Sequence, residues 1–136
     1  MKISLTRVYT WIASLGLLLQ GGSTLAALLI PEVDRALPGL LRETQMVISH
    51  SILHLVSGLI GLATLRFGGH RGAWLFALGF GTFYVALGIA GGLSGQPLGL
   101  GLKPFDHPFH VVLGGAGLLA VGIEYLWTRK GRRSHA

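Results

Sequence analysis

The side chains best suited to chemistry are histidines. His50 and His54 stand four apart at the head of an apolar stretch, SHSILHLVSGLIGLA, residues 49–63. A second stretch, FDHPFHVVLGGAGLLA at residues 105–120, reads as a reprise with Asp106, His107 and His110. On a helix, positions four apart share a face, so His50 and His54 form one donor pair and Asp106 and His110 another. Neutral imidazole offers a metal-ligating nitrogen, and a carboxylate adds an oxygen donor. His50, His54, Asp106 and His110 are therefore a candidate site for zinc or another divalent ion. Two inward imidazoles on separate helices also suit axial ligation of haem, or one ligand each to a chlorin pigment, which would fall to His54 and His110. A third role is plain hydrogen bonding between helices, with Gln20, Ser57, Thr82 and Tyr84 as partners. Pro108 constrains the turn that carries His107 and is expected to turn that ring away from His110.

Other chemistries find no support. The chain has no cysteine, which removes thiolate zinc sites, iron–sulfur clusters and covalent c-type haem attachment. There is no nucleophile elbow, P-loop, dinucleotide fingerprint or acidic pair, so a non-catalytic protein is expected. Glu124 is the one carboxylate deep in the last apolar segment. Its distance from His110 along a helix puts it beside the basic tail, where an ion pair is expected. His70 and His135 fall in a turn and in the tail, where solvent explains them.

These residues are embedded in a composition that water does not favour. Of 136 residues, 51% are hydrophobic and 12% charged, about half the charge of a soluble domain. Four segments reach the roughly 20 residues needed to cross a hydrocarbon core: about 8–30, 45–65, 72–93 and 107–128. They form a single domain over residues 1–136, with a basic tail at 129–136. The fold class that follows is all-α, a four-helix transmembrane bundle.

Charge placement gives the direction. Of eleven lysines and arginines, Arg35, Arg42 and Lys103 fall on one side of the spans and the remainder on the other. Both termini are thus expected in the cytoplasm of a multi-pass cell-membrane protein, with the bilayer as first partner. The net charge of +6 flanks spans and lacks interleaved aromatics, so nucleic acid is not expected as a partner. The N-terminal segment also reads as a signal peptide, with small residues near Ala26. Its apolar run continues to Ile30, however, and the segment has a counterpart downstream.

That counterpart is part of an internal repeat. Trp11, Leu15 and Gly16 match Trp74, Leu78 and Gly79. His54, Gly58, Gly61 and Leu62 match His110, Gly114, Gly117 and Leu118. Each half is expected to be a two-helix hairpin, duplicated in tandem as a parallel repeat, with the first loop seven residues longer than the third. His54 and His110 then lie at one depth, roughly 12 Å below the outer edge of a 30 Å core. His50 and Asp106 lie one turn nearer the outside. Gly58, Gly61, Gly114 and Gly117 continue the histidine faces as helix-packing positions.

The repeated His-x-x-x-Gly signature, HLVSG from His54 and HVVLG from His110, resembles that of a bacterial family of small four-helix integral membrane proteins catalogued only as a domain of unknown function. Asn, Asp or His stands one turn before each signature in that family, here His50 and Asp106. The resemblance covers about residues 8–126. It implies four spans and an interior histidine pair, and no activity. The functional expectation is a small non-catalytic membrane protein, an accessory subunit of a larger membrane assembly. The alternative is haem, pigment or metal binding through His54 and His110, and a small transporter is third.

Overall fold

Apolar composition with well-placed breakers gives long helices, and the computed structural model describes residues 4–94 and 97–133, with side chains through Lys130. His135 and the end of the basic tail lie outside the described residues. In order, the chain forms α1 (Leu5–Leu29), two short helices α2 (Pro31–Ala36) and α3 (Leu40–Thr44), α4 (Ile48–Phe67), α5 (Gly69–Ser94), a single 3₁₀ turn (Pro97–Gly99) and α6 (Asp106–Arg133). No strand occurs among the described residues. Four helices, α1, α4, α5 and α6 to Lys130, are long and apolar enough to cross a membrane.

Local chemistry sets the ends. Ser4 caps α1, its hydroxyl accepting the Arg7 N–H at 3.3 Å. Pro31 holds the preceding Ile30 in an extended conformation and then opens α2 as its first residue. The first connection, read from sequence as a loop, therefore carries two short helices. Between α4 and α5 only Gly68 intervenes, and Gly69 takes φ +56°, a conformation that glycine adopts without penalty.

Packing between the long helices depends on small residues. α1 lies chiefly on α4, and α5 chiefly on α6. A Cβ at Gly58 would fall 2.8 Å from the Ser14 carbonyl oxygen, and one at Gly21 would fall 2.7 Å from that of Ser51. Across the other pair, Gly81 and Gly114 face each other. A Cβ on Gly114 would approach the Gly81 oxygen to 2.6 Å, and the reverse approach is 2.8 Å. Gly61 packs on Ser14 and Phe76, and Gly117 on the Tyr9 ring. All four glycines of the histidine faces thus sit at helix contacts. Gly16 and Gly79, which match in the repeat, instead face open space.

Side-chain size alternates between the two inner helices. α5 carries a ladder of Phe76, Phe80 and Tyr84 at successive turns, stacked with centroids 4.9 and 4.0 Å apart. α1 presents Ala13, Leu17 and Gly21 on its buried face, and Leu17 joins the aromatic cluster. Beyond the ladder, the 97–105 connection folds inward. Leu100 and Leu102 pack with Leu87 and Leu53, and Met46 is buried at the same end of the bundle. Gly101, at φ +63°, lets this connection lie against Val47. The end that bears the 30–47 and 97–105 connections is called the loop end below; the opposite end holds both termini.

Candidate functional site

His50 occupies the first turn of α4 and His54 the second, on the face that packs into the bundle. His110 is in the second turn of α6. All three imidazoles are fully enclosed, exposing 1%, 1% and 0% of their surface. The rings meet edge to face with centroids 4.5 Å (His50 to His54), 5.4 Å (His50 to His110) and 5.9 Å (His54 to His110) apart. One nitrogen from each lies within 4.8 Å of the others. The centre of a triangle of that side is about 2.8 Å from each corner. That is roughly 0.7 Å beyond a zinc–nitrogen bond. Sub-ångström adjustments of three side chains close the difference.

None of the six ring nitrogens of this triad has a hydrogen-bond partner among the described residues. Buried polar groups are nearly always paired, and an unpaired one costs about 1–3 kcal/mol. None of the four partners expected from sequence bonds these imidazoles. The Tyr84 hydroxyl donates to Ser57 Oγ at 3.4 Å, although its ring packs at right angles to His110 with centroids 5.0 Å apart. Thr82 bonds the Leu78 carbonyl on an exposed face. Gln20 lines a cleft at the loop end. Interhelical hydrogen bonding therefore does not account for these three imidazoles.

Asp106 is the fourth member of the candidate metal set and stands apart from the triad. It is the first residue of α6, and its Oδ2 accepts the Lys103 N–H at 2.7 Å. The carboxylate thus ties the entering loop instead of capping a later N–H of its own helix. The same Oδ2 lies 3.9 Å from His50 Nδ1. The two do not hydrogen-bond at that separation, but an approach of about 1 Å would let the carboxylate orient the imidazole as outer carboxylates do in metal sites. His107 packs against Gly91 of α5 and does not join the group.

The macrocycle reading meets this geometry differently. A tetrapyrrole ligated by His54 and His110 would lie in the plane between them, where the His50 ring packs on both. The turns carrying Gly58 and Gly114 are occupied by Leu18 from α1 and Val85 from α5. The small residues serve helix contact and leave no slot of macrocycle width.

A second polar group sits at the opposite end. Glu124 is buried and accepts the Thr6 N–H at 3.3 Å and the Thr6 hydroxyl at 2.8 Å. Among the described residues, the carboxylate pairs with the start of α1 and not with the basic tail. The carboxylate satisfies a free N–H in the first turn of α1, where the helix dipole also favours a negative charge. His70 takes part as well, with Nδ1 3.1 Å from Ser4 Oγ and Nε2 3.9 Å from Glu124. Sequence reasoning missed this contact because α1 and α6 are brought together only by the fold. His50 was legible as a metal donor paired with His54, and its ring packs on both His54 and His110. Comparisons with protein-family models, with curated proteins and with solved structures find no match for this chain.

Proposed function

We propose that this chain is a small integral membrane protein that holds one divalent transition-metal ion, zinc or a close relative, between His50, His54 and His110. The observation that carries the reading is three enclosed imidazoles with no hydrogen-bond partner among the described residues, one nitrogen of each lying within 4.8 Å of the others. Three neutral imidazoles form a recognised tetrahedral ligand set with a fourth position left for water or another donor. Asp106 beside His50 supplies the outer carboxylate that fixes an imidazole for such a role. A haem or pigment site is favoured less, because His50 fills the space between His54 and His110.

In this reading the four long helices cross the bilayer with the loop end outside and both termini in the cytoplasm. The asymmetry of lysine and arginine supports that direction. The exposed face of the bundle, with Leu19, Phe67, Leu93 and Leu119 among its outward side chains, is what lipid contact requires. The same surface suits docking on a larger membrane assembly, but lipid alone explains it. The two halves, α1 with α4 and α5 with α6, are tandem hairpins. Their connections, residues 30–47 and 95–105, differ by the seven residues that the sequence matches demand, which supports a parallel repeat.

The test is metal content of the purified protein. After saturation with zinc and desalting, one zinc per chain is expected, falling to background in His54→Ala and in His110→Ala. Protein that retains no zinc, or variants that retain it fully, would sink the reading. A strong Soret band in protein as isolated would favour the macrocycle instead.

A further inference from the structure

At the loop end, a cleft of about 410 Å³ is lined from three parts of the chain: Gln20 of α1, Glu43, Thr44 and Gln45 of the first connection, and Lys103 and Asp106 at the start of α6, with Pro104 and Phe105 completing the wall. Asp106 belongs to both the cleft and the triad's surroundings, since its Oδ2 is 3.9 Å from His50 Nδ1. Glu43 at the rim is an exposed carboxylate paired with Arg42 at 3.0 Å. In the other direction the triad meets a wall. Tyr84 packs on His54 and His110, and Phe80, Phe76 and Leu17 close the bundle behind it.

Resting on the metal reading above, we infer that the triad is loaded from one side only, by a hydrated divalent cation that enters this cleft and passes Asp106. The cation sheds water against the cleft's oxygens and against the Asp106 carboxylate before reaching His50. Lys103 lines the same cleft, and its backbone N–H holds that carboxylate at the inner end. Beyond the triad the Tyr84 hydroxyl bonds Ser57, Ser14 Oγ lies unpaired among the described residues beside Gly61 and Phe76, and the stacked faces of Phe76 and Phe80 carry no oxygen or nitrogen to relay a cation further. The site is therefore a closed recess open to the loop end, which fits capture or buffering of an ion on that face and not passage through the bundle.

The absence of cysteine from the chain makes the route testable with a single introduced thiol. Thr44→Cys places one in the cleft, and Leu126→Cys places one in a cleft at the opposite end, lined by Ile123, Trp127, Arg129 and Lys130. Each metal-free variant is modified with a cationic or an anionic methanethiosulfonate of similar size, and zinc loading is followed by stopped-flow competition with a zinc dye. The cationic adduct at position 44 should slow loading about tenfold or more relative to the anionic one, as local charge does to a steered ion. Both adducts at position 126 should load at the unmodified rate. Gln20→Cys, across the cleft, repeats the test if Thr44→Cys misfolds. Sealed proteoliposomes should show no zinc flux to the lumen.

Unmodified protein that takes up no zinc defeats the metal reading itself. Protein that takes up zinc, but at a rate indifferent to charge at 44 and 20, defeats the route alone. Zinc flux across the vesicle would overturn the closed recess.

Discussion

Gly114→Ala isolates the link between helix spacing and the histidine site. Gly114 lies one turn beyond His110 on α6, where a new Cβ would stand 2.6 Å from the Gly81 carbonyl oxygen and 2.8 Å from the Val85 nitrogen. Both are backbone atoms of α5, which cannot rotate aside. Restoring ordinary contact near 3.4 Å requires the helices to part locally by about 0.8 Å. Overpacking of this kind costs about 1–3 kcal/mol. Alanine returns about 0.5–1 kcal/mol through its better helix propensity, so a net loss of about 1–2 kcal/mol is expected. Gly115→Ala is the control: the next residue on the same helix, with nothing within 4 Å of its Cβ site. It should be neutral or slightly stabilising.

The same displacement carries His110 away from His50 and His54, whose donor atoms already stand within 4.8 Å only as a set. Zinc affinity of Gly114→Ala should fall about 10–100-fold, the loss typical when a ligand is no longer held by its surroundings. Gly115→Ala should bind as the parent does. Unfolding in mixed detergent micelles measures the first effect, and dye competition for zinc measures the second. If Gly114→Ala matches Gly115→Ala in both, close approach of α5 and α6 does not position His110, and the reasoning fails.

Asp106→Asn should keep one zinc per chain but weaken its binding about 10–100-fold, read in the same competition; unaltered affinity would remove Asp106 from any orienting role. Glu124→Gln weakens two charge-assisted bonds from Thr6 and should cost about 1–3 kcal/mol in micelle unfolding, with zinc binding unchanged because the residue is at the far end. A reporter fused at the C-terminus should report cytoplasm and one placed after Leu98 should report the outside, since the charge asymmetry orients the chain.

The long helices were legible because apolar runs bounded by proline and glycine permit little else. The histidine faces were legible for a related reason: helical periodicity aligns His50, His54, Gly58 and Gly61 on α4, and His110, Gly114 and Gly117 on α6. What periodicity cannot give is the partner across the bundle. That Gly114 meets Gly81, that Tyr84 lies on His110 and that Glu124 receives Thr6 all depend on how helices far apart in sequence are set against one another. The inward fold of Leu100 and Leu102 was hidden for another reason. A loop rich in glycine and proline shows no period, and its burial comes from packing on Leu87 and Leu53.

The proposed equivalence of the two hairpins would explain why the site has three nitrogens and one detached carboxylate. In the proposed repeat, His54 pairs with His110 and His50 with Asp106, so the two halves contribute different donors at one position. Two identical halves would set two pairs of equivalent groups about the repeat axis. Here the mismatch lets His50 lean inward to within 4.5 Å of His54, while Asp106 turns toward the entering loop and its Lys103 N–H. The second asymmetry lies on the odd helices, where Gly21 of α1 and Tyr84 of α5 occupy equivalent places. Gly21 lets α4 approach so closely that a Cβ there would touch His54 at 2.9 Å, and Tyr84 fills the floor under His110. A duplicated scaffold would thus become a one-sided recess through two substitutions of type. One supplies a carboxylate at the mouth, and the other an aromatic ring at the base.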